Sequence, residues 1–115
     1  MAGALMVGAS ACLSPTLPLP PPEAPDSVSE SSVGDGVWDV RGVCTPGARV
    51  LVKNTETGVI AGRDDDDYDG HYLIPIQADL CDFAVVYELV DDNASDGTGF
   101  TIQPTVNGLP DDSCD

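Results

Sequence analysis

Cations are scarce in this chain. Four Lys and Arg face twenty Asp and Glu over 115 residues, a formal net charge of −16. Nucleic-acid binding needs clustered cations to displace phosphate counterions, so the composition speaks against it. Attachment to an anionic lipid surface through basic residues is disfavoured for the same reason. Histidine is nearly missing too. His71 stands alone, no G-x-S-x-G or similar nucleophile motif occurs, and the many carboxylates cluster in solvated turns, so no acid–base or covalent catalytic constellation is expected. The expectation is a protein that is not an enzyme. The four cysteines, Cys12, Cys44, Cys81 and Cys114, show no C-x-x-C spacing, which argues against zinc-ribbon and redox-motif readings. Nor does any window repeat apolar residues at i, i+3, i+4 and i+7 over three turns, so no amphipathic helix is expected.

What is present begins with "MAGALMVGASAC", an apolar run ending in small residues and a cysteine. It resembles the end of a bacterial lipoprotein signal, which implies cleavage before Cys12 and lipidation of that cysteine. Residues 13–36 then hold six of the ten prolines, with serines and acids between them. Such a stretch buries too little apolar surface to offset its ordering entropy, so it reads as a disordered acidic tether. Leu13 and Ser14 after the cysteine lack the Asp of an inner-membrane retention signal. The expected location is therefore the outer membrane or cell surface, with membrane contact through the lipid alone.

From Val37 onward the pattern becomes period two, the mark of half-buried strands. Ala48, Val50 and Val52 share a face, as do Tyr72, Ile74 and Ile76. "FAVVYELV", Phe83 to Val90, is a nearly continuous apolar run of strand length and reads as a central strand. Turn signals recur every eight to twelve residues, and Trp38 with Val40 is expected in the core. The fold class is all-β, a small antiparallel β-sandwich over residues 37–115.

"VRGVCTPGARVLVKNTETGVIAGRDDDDYDGHYLIPI" carries a resemblance. V-x-G at Val40–Gly42, P-G-A-x-V-x-V at Pro46–Val52, T-G at Thr57–Gly58 and D-x-x-G-x-Y at Asp67–Tyr72 are similar to the carboxypeptidase regulatory-like family. That resemblance implies a transthyretin-like sandwich and no shared catalytic residues. A fainter one, to B-type repeats of adhesins, rests on the aspartates alone and implies calcium.

"RDDDDYDG" places five carboxylates in the six positions from Asp64 to Asp69. Asp65, Asp67 and Asp69 before Gly70 match D-x-D-x-D-G, the opening of a calcium loop in which alternate carboxylates converge. The twelfth position is Ile76, where a bidentate Glu would stand. If strands alternate in direction, Asp91, Asp92 and Asp96 share an end with this turn and could add ligands. The competing expectation is a solvated hairpin turn with Gly70 at its positive-φ position, binding calcium weakly at most.

Cys44, Cys81 and Cys114 allow three pairings, of which one disulfide is expected in an oxidising compartment. Taken together, the sequence predicts a monomeric, non-catalytic exported lipoprotein with a structural or binding role and a protein or glycan partner. A calcium-stabilised adhesin-like module and an accessory domain of an envelope enzyme are the alternatives.

Overall fold

The computed structural model describes residues 19–114. Ten strands follow in order: β1 (Ser27–Glu30), β2 (Val37–Val43), β3 (Arg49–Asn54), β4 (Ile60–Asp64), β5 (His71–Gln77), β6 (Phe83–Val90), β7 (Asn93–Ala94), β8 (Thr98–Thr101), β9 (Thr105–Val106) and β10 (Leu109–Pro110). Every pairing between them is antiparallel. The first sheet runs β1-β2-β5. The second runs β4-β3-β6, with β7 and β8 both paired to the far edge of β6. β9 and β10 form a separate small hairpin.

Alternation decides what meets between the sheets. Val28, Trp38, Val40, Tyr72, Ile74 and Ile76 face inward from the first sheet, and Val50, Val52, Ala84 and Val86 from the second. Apolar side chains with period two put one face of each sheet out of water, and this burial drives the packing. Trp38 and Val40 lie in the core as expected.

Two expectations need correction. The segment 13–36 is not all tether. Pro22 is buried, the Asp26 N–H donates to the Arg41 carbonyl at 2.7 Å, and β1 pairs with β2 in register, sinking Val28 into the core. Only one of the four residues of β1 is apolar, so composition hides the strand, which β2 recruits through its open edge. Cys12 and the signal-like run lie outside the described residues. The second correction concerns the acidic turn, which is no hairpin. β4 belongs to the second sheet and β5 to the first, so residues 65–70 cross from one sheet to the other.

Direction does alternate, and Arg49 pairs with both Asp64 and Leu89. Loops 44–48, 65–70 and 91–97 therefore share the upper end of the sandwich. Loops 55–59 and 78–82 share the lower.

Candidate functional site: the upper-end acidic crossover

β4 delivers Asp65 to the point where the chain leaves one sheet for the other. Its carboxylate turns inward, and Oδ2 accepts the N–H groups of Gly47 at 3.0 Å and Gly70 at 2.9 Å. Its own N–H donates to the Ala48 carbonyl at 2.9 Å, and the Cys44 N–H donates to the Gly70 carbonyl at 2.8 Å. One buried side chain thus ties loop 44–48 to the crossover. Glycine is favoured at both donors, because Gly47 has φ +85° and Gly70 has φ +75°, a region that L side chains rarely adopt. A side chain at Gly47 would also strike the ring of Tyr68, which lies across it. Hydrogen bonds from Gly47 and then Gly70 hold the Asp65 carboxyl below its ordinary range, with Asp69 contributing and desolvation opposing.

The other acids of the turn do local work or face water. Asp69 Oδ1 accepts the N–H of His71 at 3.0 Å. Asp64 receives Arg49 Nε at 2.7 Å and Nη2 at 3.3 Å, which lowers the carboxyl and raises the guanidinium. Both partners of that pair are half-exposed, so it contributes little to stability. Asp66, Asp67 and Asp69 are exposed, as is His71. With Arg63 and Tyr72 they border a shallow concavity.

The three aspartates of the calcium pattern therefore have different jobs. Asp65 is spent on the backbone, while Asp67 and Asp69 are solvated. Asp91, Asp92 and Asp96 do lie at the same end, but β4 and β6 are separated by β3, about 10 Å across the sheet. Among the described residues, no group of three or more His, Cys, Asp or Glu is placed to share a metal ion.

Sequence reasoning missed Glu88. It is the one charged residue of "FAVVYELV", and parity with Ala84 and Val86 points it inward. Its Oε1 accepts the Thr45 N–H at 2.6 Å, a second pin on loop 44–48. The parity of Glu88 within its strand was the available signal. Near it, Cys44 is a free thiol. Burial, then the carboxylates of Asp65, Glu88 and Asp69, push its pKa to about 11, which keeps it protonated and poorly nucleophilic at neutral pH. The buried Tyr72 hydroxyl, which finds no partner among the described residues, is likewise shifted upward by desolvation.

At the lower end, Cys81 and Cys114 form the disulfide, closing a separation of 33 residues. The crossover there is pinned by Asp82, whose Oδ2 accepts from the Asp79 N–H and from Asn54 Nδ2, both at 2.9 Å. These bonds, Asp79 first, lower its pKa. Asn54, fully buried, also donates to the Gln77 carbonyl and accepts from the Glu56 N–H.

No known family model, curated protein or solved structure matches this chain.

Proposed function

We propose that this chain is a non-catalytic exported lipoprotein, held at the bacterial outer membrane or cell surface through Cys12. In this reading it carries a transthyretin-like sandwich of the carboxypeptidase regulatory-like kind, with a structural or binding role. The observation that carries the export reading is the Cys81–Cys114 disulfide, since such bonds persist in oxidising compartments and are rare in reducing ones. The packed N-terminal segment fits it as well. With Pro22 docked on the sandwich, about ten residues separate the fold from Cys12, a reach of roughly 30 Å if extended.

The intact mass of the protein extracted from the membrane fraction of its native host tests this. The expected mass is that of a chain beginning at lipidated Cys12 with one disulfide. A mass with neither lipid nor disulfide would overturn the envelope reading.

The calcium-stabilised alternative draws on the exposed Asp66, Asp67 and Asp69. It must do without Asp65, whose carboxylate is already engaged. In thermal unfolding of the whole chain, calcium is expected to raise the melting temperature no more than magnesium does. A calcium-specific rise of about 10 °C, lost in Asp67→Asn, would favour the adhesin-like module instead.

A further inference from the structure

The outer face of the second sheet is apolar where a solvent-facing sheet ordinarily alternates to polar. Leu51, Ile60, Phe83, Val85, Tyr87 and Leu89 all project from it, as the pairings of β3 with β4 and β6 require. Ile60 is 53% and Phe83 45% exposed, and the other four are half-buried. The run "FAVVYELV" is thus apolar on both faces, while the sandwich covers only one. An apolar patch of this kind, the size of the largest on an ordinary monomer, is often a functional one.

Three observations indicate what covers it. The face is flat. Leu51 lies over Gly62, Val85 over Gly97 and the Phe83 ring over Gly99, so closely that a Cβ at those glycines would come within 2.3 Å of the side chain. Side chains laid down on glycines leave few ridges to interdigitate with a second sheet, which is how sheet faces pack on one another. The face is also small. Four strands about 4.8 Å apart and some five residues long span roughly 300 Å². A stable protein complex buries about 800 Å² per partner. Finally, the face is set apart from the acids, which crowd the loops. Its charges are the mutually bonded Arg49 and Asp64 at the upper end of β3 and β4, and Lys53 at the lower end of β3. A second copy would bring −16 against −16, and an anionic ligand would meet the same field.

We propose that the outer face of β3, β4, β6 and β8 binds an uncharged polysaccharide strand lying along β6. The apolar faces of its sugar rings would rest on Phe83 and Tyr87, and the Arg49–Asp64 pair, Lys53 and Thr101 at the rim would meet its hydroxyls. This deepens the binding role proposed above and is independent of the lipid anchor, which the mass measurement tests separately.

Native electrophoresis of the full chain through gels containing hydroxyethyl cellulose, mixed-linkage β-glucan or amylose tests the proposal. Retardation by at least one of these is expected. Tyr87→Ala and Phe83→Ala should each weaken it about tenfold, the size of one lost ring contact, while Arg41→Ala on the opposite face leaves it unchanged. Should Tyr87→Ala fail to fold, Tyr87→Leu keeps the apolar bulk, removes the ring and is expected to weaken binding likewise. Absence of retardation in every gel overturns the proposal, as does retardation that both ring variants retain. A concentration-dependent dimer in sedimentation that these variants dissolve would overturn it too, assigning the face to a second copy.

Discussion

At the upper end the chain crosses from β4 to β5 over Asp65, and at the lower end from β5 to β6 over Asp82. Each aspartate accepts two hydrogen bonds through its Oδ2. The partners differ. Asp65 binds two backbone N–H groups, of Gly70 nearby and of Gly47 in another loop. Asp82 binds one backbone N–H, of Asp79 three residues away, and the side chain of the remote Asn54. The lower end also has a covalent staple, whereas the cysteine of the upper end is a free thiol among carboxylates. The upper crossover is therefore held by hydrogen bonds alone, those of Asp65 and the Cys44–Gly70 backbone bond, and the lower one shares its burden with a disulfide.

The disulfide should give the largest effect. In the chain-entropy model a loop of this length stabilises by about 3.5–4 kcal/mol. Reduction, or Cys81→Ser with Cys114→Ser, should lower the melting temperature by on the order of 15 °C or more. If calorimetry shows only a few degrees, the lower end is held by the Asn54–Asp82 bonds instead.

Asp65→Ala should come next, since it strands two glycine N–H groups in a buried junction. A fall of several degrees is expected, larger than for Asp82→Ala, while Asp67→Asn leaves the melting temperature within a degree or two. Equal falls for Asp65→Ala and Asp82→Ala would erase the contrast between the ends.

The smallest effects are with pH. Asp65, Asp82 and Asp111 have depressed pKa values, Asp111 chiefly through Ser113. Their contribution is complete above the ordinary carboxylate range and disappears as pH falls through the folded values. Cys44 acts with the opposite sense. Its folded pKa is raised from 9.0 to about 11, so its contribution is complete below pH 9 and is lost as pH rises toward 11. Melting curves of Cys44→Ala should lack that alkaline decline, and an unchanged profile would remove Cys44 from the account.

Much of the fold could be read from the chain. Period two in "ARVLV" and "HYLIPI", the glycines of the turns and the position of Trp38 rest on local steric rules, and each holds. β1 could not be read, because an edge strand with one inward residue leaves almost no periodic trace. The acidic turn was legible as a cluster and not as a site. Five neighbouring aspartates look alike in sequence, and only the approach of loop 44–48 singles out Asp65.

By itself, then, the sequence determined the all-β class, the inward faces of the strands and the alternation that puts both acidic loops at one end. These follow from backbone geometry within a few residues. The tertiary structure decided which aspartate is buried, that Cys81 pairs with Cys114 and not with Cys44, and that an apolar sheet face is left uncovered. Each of these depends on which distant segments meet, and neighbouring residues carry no record of that.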